Sequence, residues 1–393
     1  MMRKLIFKVF AVLAVCISLS ACGPLKKVTD ADGPIRVACI VDTVGINDRG
    51  FNQVAYEASK DYCEKSGFPF TYYVLEKNTP YAKRSLVDAA VASGYNVVIF
   101  TGNNFSDCAA ESSRKYPDVK FICLDISADT ILSGVLGPAY DGDASHYDLT
   151  EYCDPGSMYR VTYSEHIPGY MAGYAAVKLG YEKLGFLGGV EVPAVSRYGY
   201  GFLKGVNDAA KELGKTDRVS VRYAHAGTFS AAPEITAAME TWYHTGTEAV
   251  FACGGGIYVS IAEAAAKYRK KTIGVDVDQK EQFDEYAKGM AVTSALKDMG
   301  ASIRFCLSAI ENGTWERDCA GKEDLAGLVS SEDLSLNYVG LPLDSTQWNG
   351  QFTVEDYREL VRKLVNGELV VNGDIQVFPK TDIRVDRRQG TIL

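Results

Sequence analysis

Ile35-Arg36-Val37-Ala38-Cys39-Ile40-Val41-Asp42-Thr43-Val44-Gly45-Ile46-Asn47-Asp48-Arg49-Gly50-Phe51-Asn52-Gln53 holds the pattern that decides the fold. Ile35 to Val41 is an apolar run of strand length. Two glycines then turn the chain, and a helical pattern starts at Phe51 and continues to Ser66. Further strand-like runs follow at Phe70–Leu75, Asn96–Phe100 and Lys120–Leu124, with helix-like stretches at Ala82–Ala92 and Asn104–Tyr116 between them. Short apolar strands alternating with helices predict a parallel sheet with right-handed crossovers and helices on both faces.

The rhythm breaks over Gly137–Ser157, an acidic, turn-rich stretch holding Asp141, Asp143, Asp148, Glu151 and Asp154. It resumes at His166 with a helical pattern to Leu179, and the strand-like runs Leu184–Leu187, Val219–Tyr223, Ala249–Cys253 and Thr272–Val275 follow. Helical patterns over Ser196–Leu213, Ala231–Tyr243 and Val259–Tyr268 separate them. Two such units predict a two-lobe α/β protein whose ligand cleft lies between the carboxyl ends of two sheets.

The chain has 393 residues, 41 basic and 50 acidic side chains and a formal net charge of −9. At about 100–200 residues per domain the length suits two lobes. The acidic balance and the lack of a basic cluster exclude a nucleic-acid coat. No GxGxxG follows a strand and no GxxxxGK[ST] occurs, so no nucleotide cofactor is expected. The four histidines lie far apart with no HExxH, and no GxSxG elbow is present, which argues against a hydrolase, and no enzyme is expected.

Arg3, Lys4 and Lys8 precede an apolar stretch from Phe10 to Leu19, which ends in Leu19-Ser20-Ala21-Cys22. The stretch is too short to span a bilayer comfortably and has the flanks of an export signal. The last four residues resemble a bacterial lipobox, which implies cleavage after residue 21 and diacylation of the Cys22 thiol. Acyl chains contribute roughly 0.8 kcal/mol per buried methylene, so a lipidated Cys22 would hold the chain at the outer face of the cell membrane. Residues 22–33 would be the lipidated cysteine and its tether. Of the other cysteines, eight lie beyond residue 33, with no CxxC pair; free buried thiols are favoured over disulfides, and no metal site is indicated.

Chemistry-bearing residues fall at the strand ends. Asp42, Asn52 and Phe51 follow the first strand, and Asp125 follows Phe121-Ile122-Cys123-Leu124. In the second half stand Tyr198, Phe229, the Gly254-Gly255-Gly256 turn, Asp276 with Asp278, and Lys297 after Thr293-Ser294. Several also have a plainer reading at this point. Asn47 and Asp48 can cap the helix, Phe51 can pack in the core, Asp125 can cap a helix, and Lys297 can face solvent.

The lipobox, Gly45-Ile46-Asn47-Asp48-Arg49-Gly50-Phe51-Asn52-Gln53, Gly185-Phe186-Leu187-Gly188-Gly189, Ala252-Cys253-Gly254-Gly255-Gly256, Ile273-Gly274-Val275-Asp276-Val277-Asp278-Gln279 and Thr293-Ser294-Ala295-Leu296-Lys297 occur in the order and spacing of the basic membrane protein (BMP) lipoprotein family. The resemblance runs from about residue 35 to 380. It implies a two-lobe fold similar to type I periplasmic binding proteins, each lobe a doubly wound parallel sheet. One lobe is expected from residues 34–160 plus about 296–330, the other from 161–295 plus about 331–393. It implies a substrate-binding protein of an ABC importer that captures a nucleoside, purine favoured, and delivers it to permease and ATPase subunits. Carried onto this chain, the family implies that Phe51 and Phe229 clamp the base and that Asp42 and Asp125 make polar contacts. Asp276 and Lys297 would hold the ribose, with Asn52, Tyr198, Gly254 and Gly255 lining the pocket. Asn47 replaces the first of the family's two aspartates and Gly50 its serine. A sugar or autoinducer-like ligand is the alternative, since aromatic rings stack on a pyranose as well.

Overall fold

The computed structural model describes residues 33–393; the export signal and Cys22 lie outside them. The first sheet takes Val37–Val41 (β1), Phe70–Val74 (β2), Val97–Thr101 (β3), Lys120–Leu124 (β4) and Met158–Tyr163 (β5). Phe51–Ser66 (α1), Pro80–Ala92 (α2), Ser106–Lys115 (α3) and Ala128–Leu136 (α4) connect them. β1 and β3 are buried along their whole length because helices cover both faces. The period of two is visible in the packing: Val37, Cys39 and Val41 join one apolar cluster, and Ile40, Val98 and Phe100 the other.

The chain then enters a second unit through His166–Lys178 (α5), followed by Lys183–Gly188 (β6), Pro193–Glu212 (α6), Ser220–His225 (β7), Pro233–His244 (α7), Ala249–Cys253 (β8), Tyr258–Tyr268 (α8), Lys271–Asp276 (β9), Lys280–Asp284 (α9) and Ala291–Lys297 (β10). It returns to the first sheet with Met299–Glu311 (α10), Trp315–Asp318 (α11) and Glu323–Ala326 (β11). It crosses back for Val339–Gly340 (β12), Val354–Val365 (α12) and Arg384–Thr391 (β13). The strand orders are β11-β5-β4-β3-β1-β2 and β12-β10-β9-β8-β6-β7-β13. Every pairing is parallel except that of β12 with β10. The later crossings are tied together, with Asp298 N–H donating to the Tyr338 carbonyl and Tyr338 N–H to that of Gly327.

α5 and α6 lie backbone against backbone. Gly169 and Gly173 of α5 face the Tyr198 and Phe202 carbonyls, and Gly201 and Gly205 of α6 face those of His166 and Tyr170. A Cβ at any of the four would come well inside 3.0 Å of a carbonyl oxygen. Their spacing by four puts each pair on one helix face.

The stretch 137–157 becomes four short 3-10 turns, Gly137–Ala139, Ala144–His146, Leu149–Glu151 and Pro155–Ser157. Asp143, Asp148 and Asp154 each cap one of them by accepting a backbone N–H two residues on. Its aspartates are therefore turn formers, and Cys153 pins the stretch to the core.

All eight described cysteines are free and buried. Burial raises the thiols of Cys39, Cys63 and Cys108 to about 12 and that of Cys153 to about 11. Thiolate is the reactive form, so the native protein at pH 8 should leave a chromogenic disulfide reagent unreacted over minutes, and release its full thiol count only in denaturant. Rapid reaction of two or more thiols in buffer would contradict the packing.

Candidate functional site

The carboxyl ends of both sheets open on one cavity of about 960 Å³. Asp42, Phe51, Asn52, Asp125, Tyr198, Phe229, Gly254, Gly255, Asp276 and Lys297 all line it. A second hollow of about 430 Å³ between α7 and α8 has a buried hydroxyl, Ser260, which already bonds the Ala232 backbone.

On the first sheet's side, Asp48 caps α1, its carboxylate accepting from the backbone N–H groups of Gly50, Asn52 and Gln53. The Asn52 amide donates to Asp42 at 2.9 Å and to Asp48 at 3.0 Å, and its oxygen accepts from Thr101 at 2.8 Å. Asn52 thus borders the cavity with its side chain fully engaged and serves to aim Asp42. One Asp42 oxygen accepts from Asn52 and from Val44 N–H, and the other has no partner among the described residues. Burial raises Asp42 and Asp48 above the usual carboxylate range. Phe51, the first residue of α1, is half-buried, with one side on the core and one on the cavity.

Asp125 directly follows β4 and Asp276 ends β9, and each adopts a left-handed backbone, φ 54° and 64°. Aspartate tolerates that region better than most residues, at a cost of about 1–3 kcal/mol. Two strained carboxylates at equivalent strand ends mark the site more sharply than either acid alone. Asp125 Oδ1 is buried with no hydrogen-bond partner among the described residues. Asp276 Oδ1 accepts from the Tyr198 hydroxyl at 3.1 Å, and its other oxygen has no partner among the described residues.

Lys297 is 3 % exposed. Its ammonium lies 2.8 Å from Asp125, 3.4 Å from Glu165 and 3.8 Å from Asp276, and 4.8 Å from the centre of the Phe51 ring. The solvent-facing alternative for Lys297 is therefore overturned: β10 delivers it into a pocket of carboxylates. Burial disfavours its charge, but Asp125, Asp276 and Glu165 outweigh that and hold it firmly protonated. Burial and the Glu165 charge push Asp125 up to about 6, against the opposing pull of Lys297. Burial also raises Asp276. Glu165 is buried as well, yet Arg197 and Lys297 hold it below the usual range.

The Phe229 ring lies on glycine backbone. A Cβ on Gly189 or Gly254 would strike it, and Gly254 has φ 141°, which few other residues adopt. The glycine turn after β8 accordingly makes room for an aromatic platform. Asp278 is exposed and caps α9 through Lys280 N–H. The sequence reading did not single out Glu165, Arg197 or Thr101. Arg197 sits in the first turn of the helical pattern Ser196–Leu213; Glu165, an acid one residue before a helix, carried no signal of its burial. Among the described residues no three His, Cys, Asp or Glu side chains are arranged to hold a metal ion.

Two parallel α/β sheets facing across a polar, aromatic-lined cavity define a solute-binding protein of type I periplasmic fold. Solved solute-binding proteins of ABC transporter systems share this fold. One from Conexibacter woesei DSM 14684 aligns with TM-score 0.61 and 20% identity, covering 86% of this chain and 99% of that one. Another, from Aeropyrum pernix K1, gives 0.62 and 19%, covering 86% and 88%. The chain belongs to the Bmp family, PnrA-like substrate-binding proteins of ABC transporters, whose profile matches residues 35–371. It is 26% identical over 322 residues to the ABC transporter nucleoside-binding protein BmpA of Lactococcus lactis subsp. cremoris (strain MG1363), covering 77% of this chain and 82% of that protein. It is 25% identical over 390 residues to basic membrane protein A2 of Borrelia garinii subsp. bavariensis, covering 96% and 99%. It is a binding protein of an importer and not an enzyme. No helix among the described residues is long and apolar enough to cross a membrane.

Proposed function

We propose that the cavity captures a nucleoside, purine favoured, and that the chain, anchored through lipid on Cys22 at the outer face of the membrane, hands it to an ABC permease. The observation that carries the ligand assignment is the pairing of Phe51 and Phe229 on one cavity with an acid and an ammonium, Asp276 and Lys297. Aromatic faces stack on any flat base at roughly 1–3 kcal/mol per base. The open Asp276 oxygen accepts from ribose hydroxyls in charge-assisted bonds while Lys297 donates to the ring or hydroxyl oxygens. The nucleoside-binding relative supports this reading. A sugar lacks the base and would leave one aromatic face uncovered.

The test is a thermal-shift panel of purine and pyrimidine nucleosides, free bases and sugars on the chain beginning at Gly23. A ligand at a hundred times its Kd adds about 2.7 kcal/mol to stability. Inosine, guanosine or adenosine should raise Tm, and ribose or galactose should not. Phe51→Ala and Asp276→Asn should each remove the shift while leaving a cooperative melt. Shifts with sugars alone, or nucleoside shifts that survive in both variants, would overturn the assignment.

A further inference from the structure

Glu165 lies on the crossing between β5 and α5, where the chain leaves the first sheet for the second. Its side chain is 0 % exposed and does not border the cavity. One carboxylate oxygen takes Arg197 Nε at 2.6 Å, and the other lies 3.4 Å from Lys297 Nζ. These are the cations that line the cavity, and one buried acid holds both. The terminal nitrogens of Arg197 make no hydrogen bond among the described residues and remain open to a ligand's oxygen or nitrogen acceptors.

We propose that Glu165 is a positioning residue for ligand capture, fixing Arg197 and Lys297 from the crossing without touching the ligand, and that Arg197 is a ligand-contacting donor. The inference rests on the nucleoside reading of the cavity and names two further residues of that site. Its physical basis is geometric. Arg197 and Lys297 come from α6 and β10 of the second unit and Asp125 from the first, so an acid on the connection between units keeps the cations registered on both. Without it, Lys297 is free to turn wholly to Asp125 and Asp276, and Arg197 to swing into solvent.

The arrangement predicts an electrostatic signature. Asp125 is faced by Lys297, Glu165, Arg197 and the Tyr163 hydroxyl, and Glu165 also by Asp276, His166, Tyr198 and Cys253. A ligand that donates to Asp125 binds its ionised form, so affinity should fall as pH drops below about 6. Glu165 raises Asp125 and Arg197 lowers it. Neutralising the two must therefore move the acid limb of binding in opposite directions.

The experiment is calorimetric titration from pH 5 to 8, using whichever of inosine, guanosine and adenosine gives the largest thermal shift. Glu165→Gln keeps the shape and should weaken binding at pH 7.5 by about tenfold, as expected when Arg197, no longer held, loses one charge-assisted contact to the ligand, with the acid limb moved to lower pH. Arg197→Gln should weaken binding by a similar factor with the limb moved to higher pH. Arg197 is partly exposed, so this variant remains informative if Glu165→Gln does not fold. Wild-type affinity in both variants, or weaker binding with the limb unmoved, overturns the inference and leaves the nucleoside reading standing. A wild-type chain that binds no nucleoside overturns both.

Discussion

Lys297→Met is expected to lower the unfolding free energy by about 3–5 kcal/mol at pH 7.5, the range for removing one partner of a buried charge group, and to abolish nucleoside binding. The ammonium is the common partner of Asp125, Glu165 and Asp276. Methionine matches its length but leaves three buried carboxylates with Arg197 alone. The loss should depend on pH with a definite sign. Asp125 already titrates near 6 with the ammonium beside it, and without it the value rises. A carboxyl whose pKa is higher folded than unfolded binds more protons in the native state between the two values, so stability falls as pH rises through that window. Urea unfolding at pH 5 and pH 7.5 should show the variant's deficit smaller at pH 5. A deficit below about 1 kcal/mol at both pH values would mean that water reaches these acids and that the buried charge cluster does not hold in solution.

That cluster also shows what the sequence can and cannot tell. β1, β3, β4, β6, β8 and β9 were legible because strands covered on both faces read as largely apolar runs, and β7 because Val219, Val221 and Tyr223 alternate with Ser220 and Arg222. β5 was not: Met158-Tyr159-Arg160-Val161-Thr162-Tyr163 carries a buried arginine, whose Nε lies 3.4 Å from Glu323 on β11, so its burial depends on a strand about 160 residues away. β13 is exposed and rich in arginine, and pairing with β7 alone defines it. The site divides the same way. Strand ends place Asp42, Asp125, Asp276 and Lys297, and the strand-turn-helix pattern shows where those ends are. Whether Lys297 meets water or carboxylates is decided by β4, β9 and the β5–α5 crossing together, which no local pattern reveals. Glu165 escaped notice for that reason. The role of Asn52 changed as well, because its amide is already shared among Asp42, Asp48 and Thr101.

Gly201→Ala should destabilise the protein by about 2–4 kcal/mol, in the range of overpacked sites, although on an exposed helix face the same change would stabilise by up to about 1 kcal/mol. The reversal comes from the helix pair. A Cβ at Gly201 meets the backbone of His166, and backbone cannot rotate away as a side chain can. α5 and α6 must separate until the contact reaches the 3.4 Å or more of ordinary packing. His166 follows Glu165 directly, and Arg197 lies one helical turn before Gly201, so the separation opens the 2.6 Å bond between Glu165 and Arg197 at the cavity. Gly205→Ala meets the Tyr170 carbonyl one turn further from the cavity. Denaturant unfolding should therefore give the two variants similar losses, while titration with nucleoside should show a larger loss of affinity for Gly201→Ala. Equal affinity losses would mean that the helix pair moves as a rigid unit, and wild-type stability in both would refute the close packing itself.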